Sequence, residues 1–421
     1  MRREAEGVIV ERDRMISMAS KMDPPASQPK ADFAELSIAI VGGLALELIA
    51  IFLCVVPLTG KVASGRDFVV YWATGQQLIH HANPYDADAV MRIERTAGLP
   101  AQYGALYMRN PPLYLLLAYP LGFIGLRIGA LLWSLVLAGC LVAAVRMLWV
   151  MHGRQKNRLH WLGYSFAPAM ICLFAGQTSL FALLGLVLFQ RYHATRPFVA
   201  GLSLWLCALK PHLFLPFGVA LLAWMVVRRS YRMAAGAVTA FASSCGLVYC
   251  IDPKAWAEYL TMIRTSGVIQ EYIPCLSVAL RVWISPHWTW IAYVPATIGC
   301  AWAFGYFFSK RHNWDWMKDG GLLILVSILV APYCWMFDQS LAVPALLHAA
   351  YVTRSRVLLT VLAFTSVLID AELVGGIKMA SILFLWTAPA WLAIYLLSNA
   401  TANRLEVSST QKFLTFRDRS R

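Results

Sequence analysis

Only 14% of the 421 residues are Asp, Glu, Lys or Arg, against about a quarter in water-soluble domains. That shortage excludes a soluble globular fold. It is also lopsided, with 22 acids against 36 bases and a net charge of +14. There is no CxxC pair, no Cys/His spacing suited to zinc, no Gly-rich phosphate loop, no HExxH and no GxSxG. The residue sets behind structural zinc, P-loop nucleotide chemistry, zinc proteolysis and nucleophile-elbow hydrolysis are missing, so neither a metal nor a cofactor is expected. The basic residues form short clusters rather than one stripe interleaved with aromatics, so no nucleic-acid partner is expected.

What is present is apolar: 59% of residues are hydrophobic. The apolar runs reach the roughly 20 residues that cross a ~30 Å hydrocarbon core, without strand-like alternation. An all-α polytopic membrane protein follows. Most of the nine cysteines, among them Cys54, Cys140, Cys172 and Cys207, sit inside these runs and read as small core residues. Residues 1–35 are charged and Pro-containing and read as a disordered cytoplasmic tail without a cleavable signal peptide, with Met15, Met18 and Met22 as alternative starts. Residues 36–398 form the membrane domain and 399–421 a basic cytoplasmic tail.

Basic clusters recur at Arg154/Lys156/Arg158, Arg191/Arg196, Arg228/Arg229/Arg232, Lys310/Arg311/Lys318 and Arg354/Arg356. If each is cytoplasmic, the segments 161–190, 197–227, 320–352 and 357–397 are hairpins. Their expected tips are Gly176-Gln177-Thr178, Lys210-Pro211-His212, Ala331 to Gln339 and Asp370 to Gly376. The first span, 36–58, leads out to a long extracytoplasmic loop over about 60–110, and 251–277 forms a second external loop. Roughly 12 crossings (10–13) result, provided PPLYLLLAYPLGFIGL is a re-entrant or interfacial segment ahead of the true span at 128–150. Asp67, Arg109, Gln177, Lys210, His212 and Asp338 then share the external face, and such polar breaks survive in a bundle only where they line a cavity or are packed in protein.

In the first loop, Phe68, Tyr71, Trp72, Leu78 and Ile79 fall at helical spacing opposite Gln76, Gln77 and His80. The pattern predicts a short amphipathic helix lying in the interface and stopping at Asn83-Pro84. Asp67 is placed as its N-cap. Asp86-Ala-Asp88 has the outline of a metal clamp for a nucleotide sugar, but an N-cap for the helix following NPYD accounts for it.

Taken in order, GRDF (65–68) with Tyr71 four residues on, NPYD (83–86), NPPLYLLLAYPL (110–121), GQTSL (176–180), LKPHL (209–213) and APYCWMFD (331–338) resemble glycosyltransferase family 87. That family belongs to the GT-C superfamily and includes polyprenol-phosphate-mannose-dependent mannosyltransferases; the likeness runs over about 36–398. It implies a GT-C-like bundle in a bacterial inner (plasma) membrane with its active site on the extracytoplasmic side. It further implies a hexosyl- or mannosyltransferase-like activity, a polyprenyl-phosphate-linked sugar donor, a lipid or glycan acceptor, and inversion at the anomeric carbon. Asp67 corresponds to the acidic general base of the first external loop. The chain carries Phe337 and Asp338 where those mannosyltransferases have histidines, which removes the basis for mannose as the sugar and for a histidine contact to the donor phosphate there.

Such a transfer needs a group that takes the acceptor hydroxyl's proton, and a carboxylate of ordinary pKa, about 3.9, is already ionised for the task. The charge developing on the departing phosphate calls for cations and hydrogen-bond donors, and Arg109, Lys210, His212 and Arg66 are the candidates. Tyr71, Gln177 and Asp338 complete the substrate-binding set. Gln177 is equally readable as a turn-tip residue bonding freed backbone amides, and Asp338 as binding sugar hydroxyls, orienting Lys210 or supplying counter-charge. A lysine beside proline within an apolar segment is costly unless paired or functional. From a different class, a multi-span transporter or flippase of a lipid-linked or small polar substrate also fits many spans and broken helices, although the two halves show no matching pattern of broken spans.

Overall fold

The structure, a computed structural model, describes residues 66–99, 106, 108–265, 272–353 and 355–402. The expected first span, the N-terminal tail, the side chain of Arg66 and residues 403–421 of the basic tail lie outside the described residues. Among the described residues every regular element is helical.

Helix α1 (Arg66–Ile79) departs from the interfacial helix expected of its periodicity. Phe68, Val69, Val70, Tyr71, Ala73, Thr74, Gln77 and Leu78 are all buried, so it is packed nearly all round. Asp67 stands within the first turn and is not the N-cap. The cause is a close backbone crossing with the next apolar segment. A Cβ on Gly75 would stand 2.3 Å from the Ala118 carbonyl oxygen, and one on Gly122 would stand 2.3 Å from that of Gly75. Gln76 Nε2 and Trp72 Nε1 donate across the same contact to the carbonyls of Gly122 (2.7 Å) and Ile124 (2.8 Å). Periodicity registers which side of a helix is apolar, but not that two glycines admit a second backbone.

Helix α2 (Ala87–Thr96) follows NPYD, and Asp86 caps it as expected, its Oδ1 accepting the N–H groups of Asp88 and Ala89, each at 3.0 Å. The segment Pro112–Phe123 is a short apolar helix broken into 3-10 and α turns. Its 12 positions rise at most about 24 Å even at the 3-10 pitch, less than the hydrocarbon core. The full span is α3 (Leu126–Met151), whose 26 residues reach about 39 Å.

The expected hairpins break at their polar tips. Helices α4 (Ala167–Ala175) and α5 (Ser179–Tyr192) flank Gly176-Gln177-Thr178. Helices α6 (Pro197–Cys207) and α7 (Leu215–Val227) flank Lys210 and a 3-10 turn, Pro211–Phe214. Two helices then bracket the second loop, α8 (Tyr231–Ile251) before it and α10 (Leu276–Ile284) after, with α9 (Ala255–Thr265) inside it. Helix α11 (Val294–Lys310) leads to α12 (Asp319–Val330), then a 3-10 turn, Met336–Ala342, and α13 (Val343–Val352). Helix α14 (Arg356–Val374) runs straight through Asp370, so the last tip starts later than expected. A final helical stretch is Ile382–Ala402.

Among the described residues, five helices are long and apolar enough to cross a membrane: α3, α8, the stretch Thr289–Lys310, α14 and Ile382–Ala402. The arms of the hairpins at 161–190, 197–227 and 320–352 are apolar but only 10–17 residues long, so the expectation of roughly twelve crossings is not met by helix length alone. Helix α6 packs between α5 and α8, and α4 and α5 both pack on the Met336–Ala342 turn, which brings two of the polar tips together.

Candidate active site

The GQT tip is built around a residue that must be glycine. Gly176 has φ 73°, and a Cβ there would come within 3.0 Å of the Phe68 Cβ on α1. Its carbonyl accepts from Trp133 Nε1 at 2.7 Å, which ties the tip to α3. This fold of the chain sets Gln177 beside Asp67.

Gln177 occupies the middle of a connected polar cluster. Its Oε1 accepts from Lys210 Nζ at 3.0 Å, from the Tyr71 hydroxyl at 3.1 Å and from the Thr178 N–H at 3.3 Å. An ammonium can only donate, so the amide oxygen faces Lys210 and the amide NH2 faces the other way. There Nε2 donates to Asp67 Oδ2 at 2.8 Å. Asp67 thereby accepts the amide N–H on Oδ2. Burial, and after it the charge of Asp67, holds the Tyr71 phenol well above its ordinary pKa, so Tyr71 remains a neutral donor.

Lys210 is 7% exposed and Asp338 1% exposed, and the two form an ion pair at 2.6 Å. Lys210 also donates to Ser179 Oγ at 3.0 Å, and that hydroxyl in turn donates to Asp338 Oδ1 at 2.6 Å. The second oxygen, Oδ2, accepts the Trp335 N–H at 2.9 Å, which fixes the start of the Met336–Ala342 turn. Gln177, Ser179 and Asp338 thus supply an acceptor for each of the three ammonium protons, and a donor phosphate would have to displace one of them. The Phe337 ring lies 4.8 Å from Nζ, a cation–π contact. The geometry sets Asp338 against Lys210 as both its counter-charge and its hydrogen-bond acceptor.

His212 stacks on Tyr333, ring centroids 3.9 Å apart, and its Nε2 is buried without a hydrogen-bond partner among the described residues. A buried polar atom of that kind is costly unless something else satisfies it. Arg109, half-buried, lies close enough to Tyr333 to act on it electrostatically. Beside Arg109, the Asn110 carbonyl accepts from the Tyr85 hydroxyl at 3.2 Å, and Tyr85 meets Tyr259 of α9 with ring centroids 5.3 Å apart. The NPYD turn, the strip around Arg109 and the second loop therefore converge.

Asp67, Tyr71, Gln177, Lys210 and Asp338 form one hydrogen-bonded chain, while His212 and Arg109 join around Tyr333. Two members escaped sequence reasoning. Ser179 stands two residues beyond Gln177 in GQTSL, and its position at a helix start in an apolar segment was a usable signal. Tyr333 carries no sequence signal beyond its place in APYCWMFD, and only the fold gives it a histidine neighbour and gives Phe337 a cationic one.

The family model described as Glycosyltransferase family 87 matches residues 107–369, more than half of the chain, a span that includes Gln177, Lys210 and Asp338 and starts after Asp67. No curated protein and no solved structure matches it.

Proposed function

The chain belongs to glycosyltransferase family 87 and is a membrane glycosyltransferase; we propose that it moves a sugar from a polyprenyl phosphate to a lipid or glycan acceptor on the extracytoplasmic side of a bacterial plasma membrane, with Asp67 as general base. The observation that carries this reading is the 2.8 Å hydrogen bond from Gln177 to Asp67, at one end of a chain that closes on a buried ion pair.

In the proposed step the acceptor oxygen attacks the anomeric carbon from the face opposite the phosphate. The bond from that carbon to the phosphate oxygen breaks, the electron pair leaves with polyprenyl phosphate, and Asp67 takes the hydroxyl proton. A single displacement inverts the anomeric configuration. Gln177 holds the carboxylate in one orientation, and Tyr71, donating to the Gln177 amide oxygen, fixes Gln177 in turn, which supplies the positioning that an activated hydroxyl needs. Lys210 and Asp338 act through Gln177, a positioning role supported by their mutual satisfaction. Arg109 and His212 are the groups assigned to the departing phosphate, His212 because its Nε2 has no partner among the described residues. Family membership leaves the transporter reading without support.

The test is a donor screen with purified protein in nanodiscs. Turnover with polyprenyl-phosphate hexoses and none with nucleotide sugars is expected; turnover with nucleotide sugars alone would overturn the donor assignment.

A further inference from the structure

Three helices of the site, α5, α7 and α12, have their other ends together. Helix α5 runs from Ser179, in the polar cluster, to Tyr192 over 14 residues, a rise of about 21 Å. Helix α7 leaves the Lys210 turn and ends at Val227, and α12 starts after Trp316 and ends before Tyr333. At this far end lies a cavity of about 590 Å³ whose lining includes His193, Arg228, Arg229, Arg232, Trp314 and Trp316.

Three features give the cavity a chemical preference. Among the described residues it is lined by three arginines and no carboxylate; Asp315, which acts on His193 electrostatically, is not in the lining. Trp316 is 2% exposed, yet its indole N–H, like that of Trp314, is buried without a hydrogen-bond partner among the described residues. The cavity also meets the N-termini of α6 at Pro197 and α8 at Tyr231; Pro197 has no N–H and the Tyr231 N–H already donates to the Arg229 carbonyl, so these helix starts contribute their positive dipole ends rather than free amides. Unused N–H donors, helix N-termini and guanidinium forks all favour an anion with several acceptor oxygens. Positive-inside anchoring accounts for basic residues at this end, but it gives no reason for a buried, unsatisfied indole N–H.

We infer that this cavity binds a phosphate group, carried by an anionic phospholipid at the membrane face opposite the Asp67 cluster. Basic pockets between membrane helices take lipid headgroups in this way. The arginines hold the phosphate oxygens, the indole N–H groups of Trp314 and Trp316 complete their coordination, and the acyl chains remain in the bilayer. The site is separate from the sugar-transfer chemistry, so the inference stands whichever donor the enzyme uses.

Native mass spectrometry of the full-length protein tests it, with phosphatidylglycerol, phosphatidylcholine and inorganic phosphate as probes. The expected result is saturable phosphatidylglycerol binding, about tenfold tighter than phosphatidylcholine, and reduced about tenfold by Arg228→Gln/Arg232→Gln. Trp316→Phe keeps the aromatic packing and removes the N–H, so it is expected to weaken binding severalfold; it serves alone if the arginine variant does not fold. Arginine-dependent binding of inorganic phosphate without phosphatidylglycerol binding would retain the phosphate site and assign it to the free ion. Equal binding of both lipids by wild type and variants, with no phosphate binding, would overturn the proposal.

Discussion

Lys210 and Asp338 sit at 7% and 1% exposure with their charges against each other, so each is tolerable only because of the other. Removing one partner strands a buried charge, a loss of about 3–5 kcal/mol, whereas replacing both by apolar groups is often neutral. Lys210→Met and Asp338→Leu alone are therefore expected to lower thermal stability in detergent strongly, and the double variant to recover most of it. The double variant is still expected to turn over slowly, because Gln177 loses the donor that fixes its amide. Equal activity in wild type and double variant would show that the pair has no bearing on Asp67. The residue types of this site were legible in the sequence, since a lysine beside a proline in an apolar run demands a partner. Which partner was not legible: 128 positions separate Lys210 from Asp338, and no local pattern encodes that pairing.

Helices in this chain break at the polar tips, and the breaks are sequence-visible because Gly176, Pro211 and Pro332 interrupt otherwise apolar segments. The path of α1 was less visible, since it depends on the Gly75–Gly122 crossing. Gly122→Ala would drive a Cβ to 2.3 Å from the Gly75 carbonyl oxygen. Overpacking of this kind costs about 1–3 kcal/mol, so a lowered melting temperature is expected together with weakened catalysis, because α1 carries Asp67. Unchanged stability would mean that the crossing is looser than described. In the second loop, burial, and after it the charge of Asp252, pushes the Glu258 carboxyl up to about 6, above its unfolded value of about 4.3. A raised acid pKa stabilises the fold fully below the unfolded value and loses that contribution as pH rises through about 6. Melting temperatures measured from pH 4 to 8 should show this step in wild type and not in Glu258→Gln; a step that persists in the variant would assign it to another group.

The whole molecule divides its polar groups by end, with the Asp67–Gln177–Lys210–Asp338 chain at one and the arginine-lined cavity at the other, and α5, α7 and α12 between them. The membrane class, the helical fold and the family were all legible, because composition, apolar run length and ordered motifs are properties of the chain itself. The number of crossings was not, because helices shortened by polar breaks do not meet a length criterion written for uninterrupted spans. The central claim is that this architecture holds Asp67 as the base for sugar transfer. Single-turnover kinetics with a polyprenyl-phosphate hexose, comparing wild type with Asp67→Asn of unchanged melting temperature, tests it most directly. A rate lowered by about 100- to 10,000-fold, with donor binding retained, is the predicted result; turnover by Asp67→Asn at the wild-type rate would contradict it.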